Sequence, residues 1–236
     1  MPLVEQYPNW VMLDPVFHYE PLAEYFFSNE GIWQSRPAGS FFAECSWYKF
    51  PYCCHVPWYQ SLNTPAMVGP AESEIYKLAA PIFNQANKQL GADYVLWGAE
   101  LNSVPPGCSI APHNDKHFYS DYTTRVHAVL RTDINVCFNF DSGSQHFTEG
   151  QCFIFNNKLR HAIQNNSNVS RLHLVMDFVP LEIFKYVERS IAPFGGHLGT
   201  KHILAYLNKS NPAYSNYIRH AGAIEIYPIK TQEMLS

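Results

Sequence analysis

Arg171-Leu172-His173-Leu174-Val175-Met176-Asp177 reads as a strand with two different faces. Successive side chains of a strand point to opposite sides, so Arg171 and His173 share one face while Leu172 and Leu174 share the other. Arg125-Val126-His127-Ala128-Val129-Leu130 repeats the arrangement, with Arg125 and His127 on one side. An antiparallel strand whose polar side meets water has the same pattern. Two Arg-x-His strands backed by such apolar faces fit better with polar side chains that line the inside of a barrel.

Working outward, Tyr94-Val95-Leu96-Trp97, Asn135 to Phe140 and Gln151 to Phe155 are further runs rich in β-branched and aromatic residues. Asp141-Ser142-Gly143-Ser144 and Glu149-Gly150 supply turns between them. Short strands at regular spacing from 93 to 180 predict a mainly β fold with a jelly-roll, cupin-like core, the double-stranded β-helix. The flanks differ. Residues 1–92 are rich in aromatics and proline, and Ile75, Leu78, Ala79, Ile82, Phe83, Ala86 and Leu90 fall at helical spacing, with Pro81 as a kink or first turn. One or two short helices are expected before the sheet. Residues 181–236 turn helical again around Ile183, Phe184 and Val187 and around Ile203, Leu204 and Leu207, with Gly195-Gly196 between them. No repeat or linker interrupts the chain, so 1–236 reads as one domain: an N-terminal segment (1–92), the core (93–180) and a C-terminal extension (181–236) able to form a homodimer contact.

Composition narrows the function. The chain has 236 residues, 47% apolar and 15% charged, which is enough to bury a large core. A net charge of −4 without a long Lys/Arg run argues against a nucleic-acid backbone as partner and for a small-molecule or peptide substrate. The N-terminus lacks the basic and apolar regions of a signal peptide, and no apolar run reaches a membrane span, so a cytoplasmic protein is expected. Cys45, Cys53, Cys54, Cys108, Cys137 and Cys152 show no spacing that completes a zinc site and read as free thiols.

The candidate chemistry starts at His113-Asn114-Asp115, followed by His161. Two imidazoles and a carboxylate form a 2-His-1-carboxylate set, which holds Fe(II) on one face and leaves open positions for co-substrate and dioxygen. At a strand end His113 and Asp115 share a side. A surface His and Asp in a polar loop have the same spacing. His161 follows a buried strand and a polar turn, Phe155-Asn156-Asn157-Lys158-Leu159-Arg160, where a new strand begins. On the inner face of its strand, Arg171 can hold a carboxylate by a two-point pair. His146, Arg160 and His173 are candidates for substrate contact. His117 is a candidate neighbour of the metal ligands, and Trp47, Tyr48, Trp58 and Tyr59 are candidates for a lid. A bound metal without turnover, or a jelly-roll interaction module, are the alternatives.

The region from 94 to 180 resembles the aspartyl/asparaginyl β-hydroxylase family of Fe(II)- and 2-oxoglutarate-dependent dioxygenases. The resemblance is carried by Pro112-His113, Arg125-x-His127-x-x-Leu130, Glu149-Gly150, Phe155-Asn156-Asn157, His161 and Arg171. It implies iron on His113 and His161, Arg171 on the distal carboxylate of 2-oxoglutarate, and Arg125 and His127 binding this co-substrate near the metal. It also implies O2 as second co-substrate and hydroxylation of an amino-acid side chain, free or in a peptide or protein, with succinate and CO2 as co-products. The hydroxylases that give the family its name have glycine in place of Asp115. With the acid present, the chain looks more like the bacterial free-amino-acid hydroxylases, such as the proline hydroxylases.

Overall fold

The computed structural model describes residues 9–29, 34–35, 46–49, 70–91, 94–115 and 123–181. In chain order the elements are β1 (Trp10–Leu13), α1 (Glu20–Ser28), β2 (Gln34–Ser35), β3 (Ser46–Lys49), α2 (Pro70–Leu90), β4 (Tyr94–Val104), β5 (Ser109–His113), β6 (Thr124–Arg131), β7 (Val136–Phe140), β8 (Gly143–Gln145), β9 (Cys152–Phe155), β10 (His161–Asn165) and β11 (Arg171–Pro180). The readings at 183–187 and 203–207, the dimer contact, His117, Trp58, Tyr59, Cys45, Cys53 and Cys54 lie outside the described residues.

The strands from β4 to β11 pair as nested antiparallel partners: β7 with β8, β6 with β9, β5 with β10 and β4 with β11. This long hairpin is rolled, so that β11 also pairs with β6 and β10 with β7. Two sheets result, one in the order β1-β9-β6-β11-β4-β3-β2 and one in the order β5-β10-β7-β8. That is the expected double-stranded β-helix. Its rolled pairing leaves few open edges, and β1 covers one of them by pairing with β9.

The alternation in β6 and β11 sorts their side chains into two cores. Val126, Ala128 and Leu130 join Leu172, Leu174, Met176 and Phe178 in a cluster with Leu22 and Phe26 of α1 and Ile75 and Ile82 of α2. The helices therefore cover the outer face of the larger sheet. On the other face, Val129, Phe153 and Phe155 meet Phe138, Phe140 and Ile163 of the smaller sheet. Alternation puts Arg125, His127, Arg171 and His173 on this inner side. Both faces of the Arg-x-His strands are covered, so the water-facing alternative does not hold.

The helices differ from expectation in two ways. α2 is long and runs on through Pro81, an exposed position. A ring on the outer side gives up one backbone hydrogen bond, while the apolar stripe Ile75, Ala79, Ile82, Phe83 and Ala86 holds the helix on the sheet. α1 has no long periodic run to announce it. It begins with Pro at its first turn and an acidic Glu20 suited to the helix dipole, and it buries Leu22, Ala23 and Phe26. β8 lies partly within the run expected as a turn.

One buried asparagine closes the end of the barrel. Asn165 is 0% exposed, its Nδ2 donates to the carbonyls of Val104 and Val169 at 2.8 Å each, and its Oδ1 accepts from the Ser167 amide at 3.0 Å. Asn165→Ala removes these bonds, and a buried group left without a partner costs about 1–3 kcal/mol. A loss of roughly 3 kcal/mol in total is expected, read as a lower midpoint of chemical unfolding.

Candidate metal centre

His113 ends β5 and His161 begins β10, and the two are register partners across the smaller sheet. Their rings lie 4.3 Å apart between centroids. Asp115 stands two residues beyond His113, in a loop tied to the β9–β10 turn. The Asp115 amide donates to the Asn157 carbonyl at 2.9 Å, and Asn114 Nδ2 donates to the Lys158 carbonyl at 2.5 Å. The turn itself is closed by Leu159 N–H on the Asn156 carbonyl at 3.2 Å. The Phe155-Asn156-Asn157 run therefore ends one strand, turns the chain and anchors the ligand-bearing loop. Gly150 is needed for a different reason: it has φ +80°, and a Cβ there would stand 3.1 Å from the Tyr19 ring.

His113, Asp115 and His161 each offer one ligand atom, and these atoms lie within 4.8 Å of one another. The histidine tautomers favour a metal. Nδ1 of His113 is 2.8 Å from the Ala111 carbonyl and Nδ1 of His161 is 2.9 Å from the Leu159 carbonyl. A carbonyl only accepts, so each Nδ1 carries a hydrogen, and in the neutral ring Nε2 is then the nitrogen with the lone pair. His113 Nε2 faces Asp115 Oδ1 at 3.5 Å. Among the described residues this is the group of His, Cys, Asp and Glu side chains so arranged.

The other carboxylate oxygen, Asp115 Oδ2, accepts from Arg125 Nη1. The same guanidinium donates from Nε to Asp177 Oδ1 and from Nη2 to Asp177 Oδ2, both at 2.8 Å. Burial alone would raise the Asp115 carboxyl, but the Arg125 charge and the hydrogen bond with His113 hold it well below the usual carboxylate range. Burial lowers His113, but its bonds to Asp115 and the Ala111 carbonyl outweigh this and leave it raised. Burial pushes His161 down to about 4.

Acid sensitivity follows from these buried rings. A histidine whose folded pKa is depressed adds stability above its unfolded value of about 6.5 and loses it as the pH falls through the folded value. For His161 the window runs from about pH 6.5 to about 4. At about 1.4 kcal/mol per pH unit for one proton, the loss is on the order of 3 kcal/mol. Burial also lowers His127 and His173, which adds in the same direction. The unfolding midpoint of the metal-free protein is expected to drop between pH 7 and pH 4, and an unchanged midpoint would contradict these burial assignments.

Deeper in the barrel, Arg171 is 1% exposed, donates from Nη1 to Asn102 Oδ1 at 2.9 Å and lies 5.1 Å from the centre of the Phe138 ring. His127 sits between the rings of Phe153 and Phe155, at 5.3 and 4.9 Å, with its Nδ1 3.3 Å from Nδ1 of His173. Two neutral rings share one hydrogen along that contact. With His173 as donor, His127 bears its own hydrogen on Nε2, a buried atom with no partner among the described residues. A carboxylate oxygen from a bound acid would satisfy it. The donor set thus fits a divalent metal, and the barrel interior fits a co-substrate acid.

Other candidates are placed differently. Arg125, which the resemblance ties to the co-substrate, spends its guanidinium on two carboxylates of the protein itself. His173, a candidate for substrate contact, is sealed inside at 1% exposure. His146 is half-buried with Nδ1 2.8 Å from the Val136 carbonyl, and Arg160 is exposed beside His161. Asp177 is the residue the sequence reading passed over. It falls six positions after Arg171, so strict alternation along β11 puts it on the Arg171 and His173 side.

A rolled eight-stranded core thus carries two histidines and an aspartate at the meeting of β5 and β10. Residues 78–180 match the family described as Aspartyl/Asparaginyl beta-hydroxylase. The match runs from within α2 to the end of β11, and over those residues the resemblance is borne out. No curated protein matches the chain. Among solved structures it is similar to the non-heme monooxygenase ThoJ in its nickel complex, with 18% identity over 75% of this chain and 77% of that one and a TM-score of 0.46. It is also similar to the non-heme alpha-ketoglutarate-dependent epimerase SnoN from nogalamycin biosynthesis, with 13% identity, 75% and 78% coverage and a TM-score of 0.49. A prolyl-4-hydroxylase from Pseudomonas putida shows 13% identity, 75% and 95% coverage and a TM-score of 0.43.

Proposed function

We propose that this chain, as one domain, hydroxylates a C–H bond of an amino-acid side chain, free or within a peptide. The observation that supports this most is the close approach of His113, Asp115 and His161 at one end of a barrel that also encloses Arg171. When bound, Fe(II) and 2-oxoglutarate supply the oxidising power that converts C–H to C–OH with dioxygen, leaving succinate and CO2. The protein residues bind, orient and exclude water. His113 and His161 present Nε2 because their Nδ1 hydrogens are held by backbone carbonyls, and Asp115 completes a set that leaves other metal positions open.

Arg171 is the anchor for the remote carboxylate of the co-substrate. β10 descends four residues from His161 to Asn165, about 13 Å of strand, before β11 starts at Arg171. A guanidinium in so dry a place gains more from a carboxylate than it would in water. Phe138, Phe153 and Phe155 wall this space, and His127 Nε2 would donate to the acid. At the open end, Arg160 beside His161 is the candidate for substrate contact, whereas His146 lies by Val136 at the Asn165 end.

Incubation with Fe(II), 2-oxoglutarate and oxygen tests the reading. Succinate is expected, and a mass gain of one oxygen atom in a free amino acid or a peptide identifies the substrate. A protein that binds the metal but never makes succinate would be a metal-binding barrel instead.

A further inference from the structure

Arg125 of β6 and Asp177 of β11 are register partners on the inner face of the larger sheet. Their two-point pair takes the Nε and Nη2 edge of the guanidinium, while Nη1 goes to Asp115 Oδ2. All three side chains are close to 90% buried. A guanidinium offers its donors in a rigid plane and takes a carboxylate best at two points. Whichever carboxylate holds the outer edge decides how the other one is held.

We propose that Asp177 is a positioning residue of the metal centre that acts through Arg125, a role that rests on His113, Asp115 and His161 being the ligand set. With Asp177 on Nε and Nη2, Arg125 holds Asp115 by Oδ2. Asp115 Oδ1 therefore stays on the side of His113 Nε2. Without Asp177, the Asp115 carboxylate swings onto the guanidinium with both oxygens and is withdrawn from the metal. Charge supports the same assignment. Two carboxylates around one guanidinium carry one net negative charge in a nearly dry site, which a divalent cation offsets.

The competing explanation is that the Asp177–Arg125 pair only ties β6 to β11. These strands are already joined by a ladder running from Leu172–Arg131 to Phe178–Thr124 and share the apolar outer core. A double-mutant cycle on the full chain separates the two, with Co(II) as the metal probe and its visible absorption as the readout. Asp177→Asn is expected to weaken Co(II) binding 10- to 100-fold, as is typical when a partner of a metal ligand is lost, and to change the spectrum. Asp177→Glu, which keeps the carboxylate, is expected to stay closer to wild type. In an Asp115→Gly background, Asp177→Asn is expected to have no further effect.

Unchanged Co(II) affinity in Asp177→Asn, or an equal loss with and without Asp115, overturns the proposal while leaving the ligand set intact. Weaker binding by Asp177→Glu than by Asp177→Asn also overturns it. If wild type shows no Co(II) spectrum that depends on His113 and His161, the ligand set itself fails and the proposal falls with it.

Discussion

Arg171→Ala is expected to raise the dissociation constant for 2-oxoglutarate by roughly a hundredfold or more while leaving the affinity for the metal nearly unchanged. Losing one partner of a buried, hydrogen-bonded charge pair costs about 2–5 kcal/mol, and each 1.4 kcal/mol is about tenfold. Arg171 is 1% exposed and packed on Phe138, so the alanine variant also loses packing. Arg171→Lys separates the two effects, because it keeps a stem and a charge but loses the planar fork. An intermediate loss is expected for lysine. Co-substrate titration of the Fe(II)-loaded protein without oxygen reads both. If neither variant changes co-substrate affinity, Arg171 is a buried core arginine and the acid lies elsewhere.

His161→Ala is expected to have the largest effect on the metal. It removes a ligand directly, so the loss of affinity should exceed the roughly 10- to 100-fold typical of residues behind the ligands. Succinate formation is expected to fall to background. The same substitution has a second signature in the metal-free protein. His161 is held neutral by burial, with its pKa pushed down to about 4. Its removal is expected to flatten the fall in stability between about pH 6.5 and pH 4, measured by urea midpoints across that range. A variant that binds metal normally would show that His161 is only a strand histidine bonded to the Leu159 carbonyl.

Much of this arrangement was legible because strands obey a simple rule. Alternation in Arg125 to Leu130 and Arg171 to Asp177 separates the helix-covered face from the inner face without any knowledge of the partner strands. The spacing of His113 and Asp115 is ambiguous by itself. What settles their proximity to His161 is the pairing of β5 with β10 and the bond from the Asp115 amide to the Asn157 carbonyl, both long-range features. α1 was illegible because nine residues with a Pro at the first turn give only a short periodic signal, and its stability comes from docking Leu22 and Phe26.

Arg125 shows where the limit lies. Its strand and face follow from the sequence, but its partners do not. Asp115 and Asp177 reach it from a loop and from a neighbouring strand, and only the register between β6 and β11 puts Asp177 opposite it. In the fold its guanidinium donates to both of these internal carboxylates. Placing a charged residue on an inner face therefore did not say what it binds.

Anaerobic addition of Fe(II) and 2-oxoglutarate, watched in the visible range for the weak metal-to-ligand charge-transfer band of the chelate, tests the iron and co-substrate site most directly. The band is expected in wild type and is expected to disappear in His113→Ala and, at modest co-substrate concentration, in Arg171→Ala. Its absence from wild type, or its persistence in both variants, would contradict the assignment of this barrel as an iron and 2-oxoglutarate site.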